Sequence, residues 1–220
     1  MSVYIPRAFI GTDDTAIRVM SEFPFATVVT LAQDHVPQVS HIPLLVEPDL
    51  DGKPILIGHL ARANPHWRLL ADPVTTYVYF HGPHTYVSPS WYTSGRDVPT
   101  WNYVVVHAEG RAELIEEPDE IVAIVRRLTT RFEADRADPW EFALPGDLPS
   151  AENLSRAIVG VRLRPTKLST KVKLGQNRSP ADQAGVAHGL DSERRDDLSR
   201  TVAEWMRRGQ DFPGDGRDSR

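Results

Sequence analysis

Aromatic and hydrogen-bonding side chains are concentrated between His81 and Tyr103, in the stretch HGPHTYVSPSWYTSGRDVPTWNY. Two His, two Trp, three Tyr and three Ser lie here, and Asn102 adds an amide. Aromatic rings stack on planar groups, whereas hydroxyls and amides bind polar edges. A long connection this aromatic is typical of a functional segment and not of a disordered one. We call residues 81–103 the aromatic wall and predict that it binds a flat ligand with a polar edge.

A second group of polar side chains lies between Thr166 and Ser179, in the stretch TKLSTKVKLGQNRS. It offers many hydrogen-bond donors and few negative charges, which suits an anion or a ring rich in carbonyl groups. The donors are Lys167, Lys171, Lys173, Gln176, Asn177 and Arg178.

The turn around Arg62 is a third candidate site. Asn64 is predicted to cap a helix whose first residue is Pro65. Free backbone N–H groups at a helix start, next to a guanidinium, suit a phosphate monoester. An ordinary helix cap with a solvated Arg62 is the alternative.

Composition excludes several classes of function. The chain of 220 residues has no Cys, which rules out disulfides, thiolate catalysis and Cys-ligated metals. A net charge of −5 does not support a DNA-binding surface, although a local one remains open. The turn 49–52 begins like a calcium loop but lacks the later ligands, so no metal is predicted. No apolar run is long enough to span a membrane, and the N-terminus lacks the order of a signal peptide, so a cytoplasmic protein is expected.

Periodicity predicts the elements that position these residues. Helices are expected at about 13–22, 118–134, 179–187 and 191–208, with shorter ones after Asn64 and at 151–156. Strands are expected at 25–33, 38–46, 54–60, 74–80, 101–116 and 157–163. Strands this close in sequence, with helices at the start, at one crossover and at the end, predict a small antiparallel barrel with peripheral helices. Since a small barrel fills its interior with side chains, a large ligand must lie outside it, in a groove or against a second subunit.

Five segments resemble those of PaiB-type FMN-binding split-barrel proteins, which are described as negative transcriptional regulators. They are YIPRAF, GHLARANPHW, FHGPHTYVSPSWY, VPTWNYVVVHAEG and KLGQNRSPADQAGV, in order from Tyr4 to about Leu190. The resemblance implies a mainly β fold related to pyridoxamine-phosphate oxidases, with FMN at the interface of a homodimer. The split barrel would span 1–190, and 191–220 would be a helical extension with a polar tail.

The resemblance also implies roles for particular residues. Arg62 and Asn64 match the place where related barrels hold the FMN phosphate, although Ala61 and Ala63 stand where Ser and Lys are usual. The ribityl chain or ring would be lined by Ser88, Ser90, Trp91 and Tyr92. Trp101 and Asn102 would pack and hydrogen-bond beside it. Donors to the pyrimidine edge would come from Gln176, Asn177 and Arg178.

Two functions follow from these observations. One is an FMN-bound dimer that regulates transcription, for which the sequence offers no helix-turn-helix. The other is a flavin-dependent oxidoreductase acting on a small molecule with NAD(P)H or another electron donor, in which His81, His84 and Tyr86 donate protons or position the substrate. Haem binding is a third interpretation, but none of the eight His lies in a recognisable ligation motif.

Overall fold

The computed structural model describes residues 3–72, 74–95, 98–141, 153, 156–194 and 196–208. Most of the predicted helix at 151–156, the second half of the loop before it and the polar tail after Arg208 lie outside these ranges.

Seven strands form one sheet in the order β2-β1-β5-β6-β7-β4-β3. The β1–β2, β3–β4 and β4–β7 pairs are antiparallel. The strands are β1 (Phe25–Leu31), β2 (Pro37–Pro43), β3 (Leu45–Pro48), β4 (Pro54–Ala61), β5 (Thr76–Val87), β6 (Thr100–Ile115) and β7 (Ile158–Lys173).

The helices begin where the sequence supplies caps. In α1 (Asp13–Glu22), Thr12 Oγ1 accepts a hydrogen bond from the backbone of Thr15, as a capping residue should. Proline occupies the first turn of α3 (Pro118–Glu133) and of α4 (Pro180–Ser192), where its missing N–H costs nothing. Further helices are α2 (His66–Leu70), α5 (Asp197–Arg208) and two short 3-10 helices, Arg7–Phe9 and Pro89–Trp91.

The chain divides into two compact units, and β5, β6 and β7 run through both. Unit 1 comprises Met1–Phe23, Phe80–His107 and Leu168–Arg220, and unit 2 comprises Pro24–Tyr79 and Ala108–Lys167. In unit 2, α3 and the strands bury an aliphatic core of Leu45, Ile55, Ile57, Ile115, Ile124 and Leu128. Fully buried large side chains of unit 1 include Val19, Met20, Phe80, Leu190 and Trp205.

Several predicted boundaries differ from the structure. The helix predicted at 179–187 continues to Ser192, and the helix predicted from 191 begins at Asp197. Three further differences concern the strands. The strand predicted at 38–46 is two strands, because the chain turns at Leu44, whose N–H donates to Pro24 O. The strand predicted to end at Phe80 continues to Val87, so the first part of the aromatic wall is β-structure. The last strand continues to Lys173, so residues 166–173 of the second group of polar side chains belong to β7. The helix predicted at 13–22 is confirmed.

Candidate ligand-binding site

A pocket of about 350 Å³ opens in the aromatic wall of unit 1. Its lining combines two imidazoles, two large aromatic rings and a short aliphatic floor, from His81, His84, Trp101, Tyr103, Val104 and Val105. Trp101 is 52% exposed, and its indole and the ring of Tyr86 pack edge to face with 6.3 Å between their centroids. The pocket thus presents flat apolar walls, as a planar ring requires.

The alternation of β6 decides which of its aromatic side chains reach this pocket. Trp101, Tyr103 and Val105 are exposed or half-buried, whereas Asn102, Val104 and Val106 are buried on the other side of the strand. Successive side chains of a strand point to opposite faces, so neighbours in sequence have different roles. Trp101 faces outward, while the Asn102 amide donates to Met206 Sδ at 3.4 Å and is 3% exposed.

His84 has one ring nitrogen fixed by the backbone. Its Nδ1 lies 3.1 Å from Gly82 O, and a carbonyl oxygen can only accept, so the Nδ1 proton is donated there. In the neutral ring, Nε2 then carries the lone pair. A pocket residue of this kind can accept a proton or a hydrogen bond from a ligand.

Cationic side chains lie beside the same aromatic rings. The ammonium of Lys171 is 5.3 Å from the centroid of Tyr103 and 5.7 Å from that of Tyr4, and that of Lys173 is 5.9 Å from Tyr103. Lys173 Nζ also donates to Thr100 Oγ1 and, at 2.7 Å, to Trp101 O. Burial lowers the pKa of Lys173, and the positive charges of Lys171 and Arg178 lower it further.

Trp91 is placed differently from Trp101. It is 9% exposed and packs on α4, where a Cβ added at Gly185 would come within 2.2 Å of its carbonyl oxygen. A Cβ at Gly189 would come within 2.4 Å of its indole ring. The two glycines therefore leave room for Trp91, whose predicted contact with a ligand stays a prediction.

The segment 173–186 mainly builds the local structure that supports the wall. Gln176 closes its own turn, since its Oε1 accepts from Leu174 N and its Nε2 donates to Val172 O. Asp182 accepts hydrogen bonds from Thr93 Oγ1, Ser94 N and Ser179 Oγ. These donors lower the pKa of Asp182, Ser94 N–H most of all, then the Ser179 and Thr93 hydroxyls. The carboxylate thereby ties the wall to the start of α4.

The other predicted residues of unit 1 differ in accessibility. The hydroxyl oxygens of Ser88 and Ser90 lie 2.7 Å apart and share a hydrogen bond at an exposed position. Tyr92 is buried, and the guanidinium of Arg178 lies 5.2 Å from its ring centroid. Asn177 is exposed. The predicted set therefore separates into residues that a ligand can reach and residues that hold the wall in place.

In unit 2, Arg62 has several protein partners. Its Nη2 donates to Glu116 Oε1 at 2.8 Å, and its guanidinium carbon lies 5.7 Å from the ring centroid of Trp67. Asn64 accepts from the N–H of His66, but α2 begins at His66 with Pro65 as its cap, one residue later than predicted. An anion at Arg62 would compete with Glu116.

A buried polar network lies behind this turn. Ser40 Oγ accepts from Asn64 Nδ2 at 2.9 Å and lies 2.8 Å from His66 Nδ1. The Ser40 hydroxyl and His66 Nδ1 share this hydrogen bond, and its donor depends on the tautomer of the imidazole. His66 is 1% exposed, its Nε2 has no hydrogen-bond partner among the described residues, and burial lowers its pKa.

We expect this network to make stability depend on pH. A lowered pKa in the folded state means that stability is fully present above the unfolded value of 6.5 and is lost as pH falls through the folded pKa. Burial lowers the pKa of His59 in the same direction. The free energy of unfolding, measured with urea between pH 5 and pH 8, should fall as pH falls, because the unfolded chain binds more protons than the folded one. His66→Asn should reduce this proton uptake by about one proton. His188→Asn, at an exposed position, is the control. If the dependence of the unfolding free energy on pH is unchanged in His66→Asn, His66 is not the source of the proton uptake.

Comparison with known proteins identifies relatives over nearly the whole chain. Residues 3–167 match the family described as "Putative FMN-binding domain". The chain is 34% identical over 207 residues to the protease synthase and sporulation protein PAI 2 of Bacillus subtilis, which covers 93% of this chain and 96% of that protein.

Two solved structures share the fold. The FAD and heme binding protein from Mycobacterium smegmatis has a TM-score of 0.55 at 19% identity and covers 74% of this chain and 72% of that one. The flavocytochrome Anf3 from Azotobacter vinelandii has a TM-score of 0.56 at 18% identity and covers 74% and 67%. The predicted fold class, a mainly β split barrel with peripheral helices, is confirmed.

Proposed function

The chain belongs to the FMN-binding domain family whose sequence pattern it matches over residues 3–167, and the predicted resemblance to PaiB-type proteins is thereby confirmed. FMN is the cofactor that this family membership indicates. We propose that this chain binds FMN with the isoalloxazine ring against the pocket of the aromatic wall. The observation that carries this proposal is the exposed Trp101 beside Tyr103, His81 and His84.

The accessible residues of the wall fit a flavin. Trp101 and Tyr103 would flank the ring, and Asn177 and Arg178 would supply donors to its polar edge. Ser88 and Ser90 would serve the ribityl chain. Bound FMN supplies hydride and electron transfer, whereas this chain's residues bind it, orient it and exclude water. Tyr92, Asn102 and Gln176 contribute indirectly in this proposal, by holding the wall.

The proposal includes a homodimer with FMN at its interface. Trp101 and Tyr4, 52% and 82% exposed, are large aromatic side chains of the kind that interfaces cover. A solution mass of one chain, measured with FMN tightly bound, would remove this part of the proposal.

Regulation is the biological role that we propose first, in a cytoplasmic protein. Its support is the family resemblance and a relative whose name refers to protease synthesis and sporulation. Direct DNA binding draws no support from a net charge of −5. None of the helices that the structure describes has the length and apolar character to cross a membrane.

Flavin-dependent oxidoreductase activity is the second candidate, and His84 favours it. A ring nitrogen fixed on a backbone carbonyl leaves Nε2 as a defined proton acceptor at the pocket. Such a group would take a proton from a small-molecule substrate that reacts with the flavin.

Visible absorption tests both candidates. FMN added to the purified protein should give a perturbed flavin band, and loss of the band after filtration would contradict FMN binding. Anaerobic NADH or NADPH then separates the roles, because bleaching indicates an oxidoreductase and an inert yellow protein indicates a sensor. A sharp Soret band would indicate haem instead.

Arg62 and Asn64 stay in the proposal as a phosphate site. If the phosphate binds here, Arg62→Ala should weaken FMN binding roughly tenfold and leave riboflavin binding unchanged, since only FMN carries the charge. Glu116→Gln should do the opposite and strengthen FMN binding, because it removes the carboxylate that competes for the guanidinium. Fluorescence titration measures both, and equal weakening of the two flavins in Arg62→Ala would contradict this site.

A further inference from the structure

Lys171 and Lys173, beside the pocket, differ from other cations of the chain in their partners. Among the residues that the structure describes, no carboxylate forms an ion pair with Lys171 or Lys173. Lys167, earlier on the same strand, differs in having Glu109 at 3.5 Å. Within the described ranges, the groups that Lys171 and Lys173 contact are neutral: carbonyl oxygens, a hydroxyl and aromatic faces.

Such an arrangement keeps positive charge in place without neutralising it. Lys173 is held by Thr100 Oγ1 and Trp101 O, and Lys171 by Tyr4 O at 3.4 Å. Burial lowers the pKa of Lys173 most, and the positive charge of Lys171 lowers it further, so the two ammonium groups repel each other. An anion bound beside them would offset that repulsion and form charge-assisted hydrogen bonds.

The same rings link these cations to the pocket. Tyr103 lines the pocket and lies within 6 Å of both ammonium groups, and Lys173 binds the backbone of Trp101, another lining residue. A planar ligand against Trp101 and Tyr103 would therefore place a substituent beside the two lysines.

We propose that Lys171 and Lys173 form the anion subsite of this pocket, which therefore takes a planar aromatic ring that carries a carboxylate or phosphate. FMN is such a ligand only if its ribityl phosphate binds here instead of at Arg62, whereas a separate anionic substrate leaves the proposed Arg62 site unaffected, so the inference rests on the proposed function only for the flavin. Arg178, whose positive charge acts on Lys173, strengthens the preference for an anion.

The test uses small probes without flavin. Calorimetry on the full chain should show that phenyl phosphate binds at least about tenfold more tightly than benzyl alcohol, which has the ring without the charge. Inorganic phosphate should bind more weakly than phenyl phosphate, because it lacks the ring. Equal affinity for phenyl phosphate and benzyl alcohol, or for phenyl phosphate and inorganic phosphate, would overturn the proposal.

Variants assign the effect to the lysines. Lys171→Met and Lys173→Met remove the charge and keep most of the side chain, and each should weaken phenyl phosphate about tenfold without changing benzyl alcohol. Lys167→Met, on the same strand, is the matched control and should change neither. Thermal unfolding checks that each variant is folded. If Lys173→Met does not fold, the test uses Lys171→Met alone. An unchanged affinity for phenyl phosphate in the folded variants would overturn the subsite.

Flavin titrations of the same variants identify the source of the anion. If they lose the preference for FMN over riboflavin, the subsite holds the phosphate of the cofactor. If that preference persists while phenyl phosphate binding is lost, the subsite serves a second, anionic ligand. A wild-type protein that binds phenyl phosphate through the lysines but binds no flavin would contradict the proposed function and still support the subsite.

Discussion

Trp91→Ala should destabilise the protein by about 3–5 kcal/mol, the usual cost of removing a large buried aromatic side chain. Trp91 is 9% exposed and packs against the backbone of α4 at Gly185 and Gly189. Its removal would leave a cavity that α4 can only partly fill, because the helix is fixed at its start by Asp182. For a chain of this size the midpoint of thermal unfolding should fall by roughly 6–20 °C.

Gly189→Ala tests the same packing from the other side. The added Cβ would lie within 2.4 Å of the Trp91 ring, so helix or indole must shift, at a cost of about 1–3 kcal/mol. Differential scanning calorimetry of both variants measures these losses. A Trp91→Ala variant with wild-type stability and weaker FMN binding would show instead that Trp91 contacts the ligand, as the sequence pattern predicts.

Trp101→Ala should have the opposite profile. Stacking of a heterocycle on an aromatic side chain contributes about 1–3 kcal/mol, so FMN affinity should fall by roughly fivefold to 150-fold. Because Trp101 is 52% exposed, stability should change by no more than about 0.5 kcal/mol. Flavin fluorescence titration and thermal unfolding, run on the same samples, measure the two quantities.

Trp101→Phe is the matched control, since a smaller ring retains part of the stacking and should recover part of the affinity. If Trp101→Ala binds FMN as wild type does, the isoalloxazine ring does not lie in this pocket. Loss of folding in Trp101→Ala would contradict the exposed position that the structure gives this side chain.

The two tryptophans show how far sequence reasoning extends. Both lie in the aromatic wall, and both were predicted to line the ligand. Which of them is buried depends on Gly185 and Gly189, about a hundred residues later in the chain. Local periodicity contains no information about such a contact, so the sequence could not separate a packing residue from an accessible one.

Other features were predictable because their causes are local. The bounds of α1 follow from Thr12 and from apolar residues at helical spacing, and the fold class follows from the order of strands and helices. His81 and His84 were candidates from composition alone, but their common pocket with Tyr103 depends on the pairing of strands. Tyr103 could have been placed with Trp101 from the period of two along a strand, since residues two apart lie on the same face of β6.

Lys171 also has a practical consequence for how the protein is prepared. Its ammonium is held by the carbonyl oxygen and ring of Tyr4, and Ile10 pairs with it through the backbone. The beginning of the chain therefore contacts a residue that is proposed to bind the ligand. An affinity tag fused there would be only a few residues from Tyr4, which contacts that lysine, so anion affinities should be measured on protein from which any N-terminal tag has been cleaved.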